Sequence, residues 1–158
     1  TSTKDAPAGD VAHVAAGGKT WPVRLGDKAY VMNHIDYIAL SPGGLWSGEH
    51  VVCVGIEERQ GKKVPLWSGF GLSAATAEEM LHDIASAYVT VASSNADYLS
   101  RHFNMRSTGS NGEEIKKKLL ERFKDPSGQA GLKIDDTMLY SWHIDTAKVA
   151  AARRANGG

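Results

Sequence analysis

The residues best suited to chemistry flank two copies of Leu-Trp-Ser-Gly, at positions 45–48 and 66–69. Each copy reads as a strand that ends in a glycine turn, and we expect the second to open directly onto a helix. Such a corner is a natural anion site, because free backbone N–H groups and the helix dipole both point at the ligand. The stretch from Leu45 to Leu72 therefore predicts phosphate binding.

The second turn supplies the phosphate-holding groups of this hypothesis. Gly69 and Gly71 would let the backbone approach a phosphate closely, and Ser68 or Ser73 would donate a hydroxyl. No Gly-Lys-Ser/Thr closes the turn, so it is not a Walker loop. The alternative is a tight strand-to-helix turn without a ligand.

The first turn, with Ser47 and Gly48 as further binding residues, supplies the candidate catalytic pair. Glu49 would act as a general base or metal ligand, and His50 as a ligand or proton shuttle. On an extended strand, neighbouring side chains point to opposite faces, so the two need not cooperate. The alternative is that Glu49 and His50 are two polar residues of a loop without a catalytic role.

Two His-Ile-Asp triplets, at 34–36 and 143–145, offer a different site. On a strand, each triplet would present one imidazole and one carboxylate on a single face, and two neighbouring strands would converge on one metal ion. The alternative is two strand ends, with Asp145 or Thr146 capping the last helix. We therefore assign no metal ligands.

A run of basic residues in the second half suggests contact with a nucleic-acid backbone. The predicted nucleic-acid-binding residues are Arg101, Lys116, Lys117, Lys118 and Arg122. The alternative is a solvated helix face with pairs such as Glu114–Lys118. Cys53 lies in an apolar run that would raise the pKa of its thiol, so we interpret it as a core residue.

The predicted secondary structure that must position these residues changes from strands to helices along the chain. Residues 1–18 read as a flexible arm and 19–158 as a single domain, with short strands and glycine turns over 20–68. One of these strand candidates is Ile35–Leu40.

Helices are predicted at four places after residue 72. A helix with a Thr76–Glu79 capping box follows Leu72, and others cover 96–103 and 113–124. Residues 133–136 read as a connector, 138–144 as a late strand and 146–155 as a C-terminal helix. The fold class is therefore α+β, with a β-rich N-terminal half and a helical second half.

The composition of the chain excludes only a few classes of function. The 158 residues carry no formal net charge, which argues against a DNA mimic and against a wholly basic surface. No apolar run approaches the ~20 residues that span a bilayer. The first ten residues lack the order of basic and then apolar residues that is typical of a signal peptide. We expect a cytoplasmic protein without a membrane segment.

Two family resemblances add expectations. Gly48-Glu49-His50, followed by 61–67 (GKKVPLW), resembles the ParB/sulfiredoxin superfamily, although Val51 stands where that family has arginine. This implies nucleotide binding, in some branches hydrolysis, and action on DNA in plasmid biology, including fertility-inhibition proteins of the Osa type. Residues 43–46 (GGLW) and 69–74 (GFGLSA) are similar to KlcA/ArdB antirestriction proteins, which implies a non-enzymatic binding protein.

Together these observations predict a nucleotide- and nucleic-acid-phosphate-binding protein of a plasmid or mobile element. The predicted activity is that of an NTPase or nuclease that blocks conjugative DNA transfer, with ATP and Mg²⁺ as cofactors and DNA as a partner. The alternative is a non-catalytic inhibitory protein that acts on a protein of a conjugation or restriction system. In that case, Gly48, Glu49 and Gly71 would be turn residues only.

Overall fold

The computed structural model describes residues 10–16, 19–134 and 137–140, and it confirms the predicted α+β class. The described elements are β1 (Val11–Ala16), β2 (Lys19–Arg24), β3 (Lys28–Met32), α1 (Ile35–Leu40), β4 (Gly48–Arg59), β5 (Lys62–Gly69), β6 (Leu72–Ala75), α2 (Ala77–Ser93), α3 (Ala96–Phe103), α4 (Gly112–Lys124), β7 (Gly131–Ile134) and β8 (Thr137–Tyr140). Six strands form an antiparallel sheet in the order β6-β5-β4-β3-β7-β8, while β1 and β2 pair as a hairpin.

The β4–β5 hairpin is the longest pairing of the sheet. Its turn places Gln60 at φ 53° and Gly61 at φ 77°, as a type I′ turn requires, which confirms one of the glycine turns predicted over 20–68. Alternate residues of the two strands are buried, among them Val51, Cys53 and Trp67. This period-two pattern turns one face of the sheet towards the core.

Helix α2 lies against that core. Thr76 and Glu79 form the predicted capping box, with the Glu79 N–H donating to Thr76 Oγ1 at 3.1 Å and the Thr76 N–H donating to Glu79 Oε1 at 3.1 Å. Met80, Ile84 and Tyr88 are fully buried at helical spacing. The amphipathic helix predicted from that spacing is confirmed.

Helices α3 and α4 also form where predicted. In α4 the buried side chains are Ile115, Leu119 and Phe123, at the spacing expected of one helix face. Asn104 ends α3 in the left-handed conformation, with φ 50°. Helix α2 lies between α4 and the sheet, so this helical layer and the sheet share one core.

Two predicted elements take a different structure. Residues 35–40 form helix α1 and not a strand, because the His34 side chain caps the helix and only Tyr37 of the segment is buried. Residues 11–16 form β1, where a flexible arm was predicted, because the hairpin with β2 buries Ala12 and Val14.

Two further boundaries were wrong. Strand β6 separates the second Leu-Trp-Ser-Gly from α2, so that motif does not open directly onto a helix. Residues 131–134 form β7 between β3 and β8, where 133 and 134 were assigned to a connector. The predicted late strand is confirmed over 138–140, as part of β8. Its remainder, the triplet at 143–145 and the C-terminal helix lie outside the described residues.

Candidate functional site

The predicted phosphate corner is a β-hairpin turn. Phe70 and Gly71 connect β5 to β6 with φ angles of 53° and 72°, the signature of a type I′ turn. The Phe70 N–H, one of the groups predicted to hold phosphate, donates to Glu49 Oε2 at 2.7 Å. The carboxylate of Glu49 therefore accepts the hydrogen bond that was predicted to go to a bound phosphate.

Glu49 and His50 do not act as a pair. They are successive residues of an extended strand, so their side chains leave opposite faces of the sheet. The His50 ring packs edge-on against its cross-strand neighbour Tyr30, with ring centroids 5.0 Å apart. The structure therefore brings the Glu49 carboxylate to the 69–73 turn and holds the His50 ring against Tyr30.

The predicted hydroxyl groups differ in what they contact. Ser47 Oγ donates to the Gly44 carbonyl at 2.9 Å, and Ser68 Oγ donates to the Leu72 carbonyl at 3.4 Å. Ser73 is exposed on β6, and Gly48 lies against the Tyr30 hydroxyl. Two of the three serines therefore stabilise local backbone.

An aromatic pair joins the two Leu-Trp-Ser-Gly corners. The Trp46 and Phe70 rings stack with centroids 5.3 Å apart and an interplanar angle of 5°. Leu45, beside them, is 89% exposed. We call Leu45, Trp46 and Phe70 the aromatic corner. Trp46 lies just before β4 and Phe70 lies just after β5. Because the start of one strand and the end of the next lie at the same end of an antiparallel hairpin, the sequence order could have suggested that the two rings meet.

A second site, which the sequence analysis missed, joins α1, α3 and α4. Arg122 Nε donates to Asp36 Oδ2 at 2.7 Å and to the Tyr98 hydroxyl at 3.0 Å, and the Tyr98 hydroxyl also donates to Asp36 Oδ2. We call these three residues the charged cluster. The side chains of Asp36 and Arg122 are 19% and 33% exposed, so the ion pair lies at the edge of the core.

The charged cluster continues inwards through aromatic residues. The hydroxyls of Tyr98 and Tyr88 lie 2.8 Å apart, and the Tyr88 ring stacks on His34 at 5.1 Å. The Asp36 N–H donates to His34 Nδ1 at 3.0 Å, which leaves the proton of the neutral ring on Nε2. Asn33 donates from its amide to the carbonyls of Trp46 and Ile84, each at 3.0 Å.

Burial and charge set the pKa values of the cluster. Burial alone would raise the pKa of the Asp36 carboxyl, but hydrogen bonds from Tyr98 and Arg122 outweigh it and hold that pKa below its ordinary value. Burial and the hydrogen bond to Asp36 raise the pKa of Tyr98 to about 12. Burial lowers the pKa of His34. Each group therefore keeps one protonation state at neutral pH, which suits a structural network.

The predicted basic residues divide between two roles. Arg122 points into the charged cluster and not towards a ligand, and Arg101 pairs with Asp97 across one turn of α3 at 2.9 Å. Lys116, Lys117 and Lys118 are exposed on α4 and form no ion pair with any described residue. Of the five predicted residues, these three lysines are therefore the ones free to contact an anionic partner.

The first His-Ile-Asp triplet has a different role from the one predicted. His34 is the N-cap of α1 and Asp36 lies in its first turn, so the two do not form one strand face. Within the described residues, no group of three or more His, Cys, Asp or Glu side chains could hold a metal ion. A polar residue directly before a short apolar segment is typical of a helix cap, and that signal could have identified α1.

Cys53 is buried, and burial raises the pKa of its thiol, which confirms its assignment to the core.

In the part of the chain that the structure describes, no helix is both long and apolar enough to cross a bilayer. Comparison with protein-family models, curated proteins and solved structures gives no match for this chain. The resemblances to the ParB/sulfiredoxin and KlcA/ArdB families therefore stay predictions.

Proposed function

We propose that this chain is a non-catalytic binding protein that contacts a protein partner through the aromatic corner. The observation that carries the proposal is the 2.7 Å hydrogen bond between Glu49 and the Phe70 amide. Through this hydrogen bond, Glu49, which the sequence predicts as a general base, fixes the position of Phe70. The role of Glu49 is then to orient Phe70 for contact with the partner.

The backbone of Phe70 supports this interpretation. Its φ of 53° lies in the left-handed region, which costs a residue other than glycine about 1–2 kcal/mol. Glycine would adopt this conformation without that cost. The ring of Phe70 must therefore contribute something that offsets the strain, and its observed contact is the stack on Trp46.

The exposure of the corner supports a protein partner. Leu45 is 89% exposed, and Trp46 and Phe70 are half-buried at the edge of the core. Tryptophan and phenylalanine are enriched in the central contacts of protein interfaces. The partner would present an apolar pocket, and the likeness of 43–46 and 69–74 to antirestriction proteins suggests a protein of a restriction or conjugation system.

Site-specific photo-crosslinking tests the proposal. A photo-reactive amino acid replaces Leu45 in bacterial cells that carry a conjugative plasmid and a restriction system, and the same amino acid replaces Val54 as a control. Val54 is another exposed apolar residue, at 45%, farther along β4. We expect a discrete protein adduct at position 45 that Phe70→Ser abolishes, while circular dichroism shows that the variant still folds.

Three results would contradict the proposal. One is the absence of an adduct at position 45, another is the same adduct at both positions, and the third is an adduct that contains nucleic acid. Transfer frequency and plating of unmodified phage give a functional readout in the same strains. The Leu45→Ser/Phe70→Ser variant should lose any inhibition that the unaltered chain and Val54→Ser show.

The exposed lysine run favours a second candidate, contact between α4 and a nucleic-acid backbone. Lys116, Lys117 and Lys118 would neutralise phosphates, although Glu113, Glu114 and Glu121 are exposed on the same helix. Binding of short DNA should then weaken steeply with salt, and a triple Lys→Gln variant should reduce the salt dependence. A thermal-shift assay with ATP and Mg²⁺ tests the nucleotide part, because a ligand at 100 times its Kd adds about 2.7 kcal/mol.

A further inference from the structure

A cavity of about 510 Å³ lies where α2, α3 and the segment after α3 meet. Ser93 and Ser94 border it at the end of α2, Leu99 and Ser100 project from α3, and 105–107 close the third side. Pockets for small molecules range over ~300–1,000 Å³, so this volume suits a metabolite-sized ligand. The aromatic corner and the charged cluster contribute no residue to its lining.

The cavity has an apolar floor and a polar rim. Leu99 is 1% exposed and forms the floor with the half-buried Met105. Ser100, Arg106 and Ser107 are exposed along the rim. A ligand in this cavity would therefore bury an apolar part and keep its polar groups at the rim.

The hydroxyl groups of the rim divide into acceptors and donors. Ser93 Oγ and Ser94 Oγ donate to the Thr90 carbonyl at 3.3 and 3.1 Å, so only their lone pairs remain for a ligand. Ser100 and Ser107 form no side-chain hydrogen bond with the described residues, so their hydroxyls are free to donate. One side of the cavity therefore accepts hydrogen bonds and the other donates them.

Arg106 sets the charge of the donating side. It is the one charged residue in the cavity lining, and its guanidinium makes no ion pair within the part of the chain that the structure describes. By contrast, Arg101 on α3 is paired with Asp97. A guanidinium and two hydroxyls that line the same cavity are a donor set for carboxylate or phosphate oxygens.

We propose that this cavity binds a small organic anion that also carries a hydroxyl group. Its carboxylate or phosphate would accept hydrogen bonds from Arg106, Ser100 and Ser107. Its hydroxyl would donate to Ser93 or Ser94, and its carbon skeleton would cover Leu99 and Met105. This site is independent of the aromatic corner and does not require the function proposed there.

Amide chemical-shift titration of the full chain tests the proposal with four probes. 6-Hydroxyhexyl phosphate and 2-hydroxyhexanoate represent the phosphate and carboxylate sources, while hexane-1,6-diol lacks the anionic group and inorganic phosphate lacks the carbon skeleton. We expect at least one organic anion to saturate with a Kd of about 1 mM or tighter. The shifts should concentrate in residues 93–107.

Two arginine variants then test which positive charge binds the anion. Arg106→Gln should weaken the bound probe about tenfold or more, since it removes the charge-assisted hydrogen bonds. Arg101→Gln, which removes an exposed arginine of the same helical region, should leave Kd unchanged. The proposal is overturned if neither organic anion saturates, if the shifts lie elsewhere, or if Arg106→Gln binds as tightly as the unaltered chain.

Discussion

Replacement of Arg122 by methionine tests whether the charged cluster holds the helical layer together. Methionine keeps much of the apolar stem and removes the guanidinium, whose Nε donates to Asp36 at 2.7 Å and to Tyr98 at 3.0 Å. Hydrogen bonds to charged groups contribute about 1.5–3 kcal/mol each to stability. The Tyr98 hydroxyl still donates to Asp36, so the loss should stay below the ~3–5 kcal/mol of a fully orphaned buried charge.

We therefore expect Arg122→Met to lower the free energy of unfolding by about 2 kcal/mol, or the melting temperature by about 4–8 °C. Arg101→Met is the matched control. Arg101 also lies in the last turn of a helix and pairs with an aspartate at 2.9 Å, but the two side chains are 66% and 75% exposed. Its loss should cost no more than about 0.5 kcal/mol.

Urea unfolding of both variants, followed by fluorescence and circular dichroism, measures the difference. Equal destabilisation by the two changes would refute the reasoning, because the geometry of the two pairs is similar and only their burial and hydrogen bonding differ. A double-mutant cycle with Asp36→Asn should return a coupling energy above about 0.5 kcal/mol.

The cluster also predicts a pH dependence. The pKa of Asp36 is lower in the folded chain than in the unfolded chain, so the unfolded state binds the proton first. The contribution of this carboxylate is complete above the unfolded pKa of about 3.9 and declines as the pH falls through the folded value. The stability difference between the unaltered chain and Asp36→Asn should therefore shrink on acidification.

Three further changes test other parts of the structure. Burial lowers the pKa of His34, so stability should fall as the pH drops below about 6.5, and His34→Gln should reduce that fall in urea titrations. Gly128→Ala would place a Cβ 2.0 Å from the buried His34 ring and should cost about 1–3 kcal/mol or more. Gly48→Ala, the steric control, meets the end of an exposed tyrosine that can move, so a similar loss would contradict the argument. Glu49→Ala should cost about 1 kcal/mol in urea unfolding, whereas Glu49→Gln retains an acceptor for the Phe70 amide and should cost less than half of that. Equal losses for those two variants would mean that the hydrogen bond does not position the turn.

Local signals account for the elements that the sequence predicted well. The Thr76–Glu79 capping box and the spacing of Met80, Ile84 and Tyr88 are properties of neighbouring residues, and they confirm α2. The Gln60-Gly61 turn likewise follows from the positive φ angles that a short hairpin needs. These interactions are complete within a few residues, so no knowledge of distant segments is required.

The incorrect predictions concern segments whose structure depends on contacts outside the segment itself. Residues 35–40 contain enough apolar side chains for a strand, but the cap from His34 and the anchoring of Asp36 by Tyr98 and Arg122 favour a helix. Strand β1 exists through its pairing with β2, and β7 through its pairing with β3 and β8. Strand propensity is weak over such short stretches, so pairing decides.

By itself, the sequence determined that this chain combines a β-rich part with amphipathic helices, because periodicity and caps are local. It also identified the two glycine corners as unusual. Only the tertiary structure decided that the carboxylate of Glu49 lies on the Phe70 amide, and that Arg122 joins Asp36 and Tyr98. Those contacts span 21 and 86 residues of chain, and a sequence pattern does not specify which distant charges meet once the chain folds.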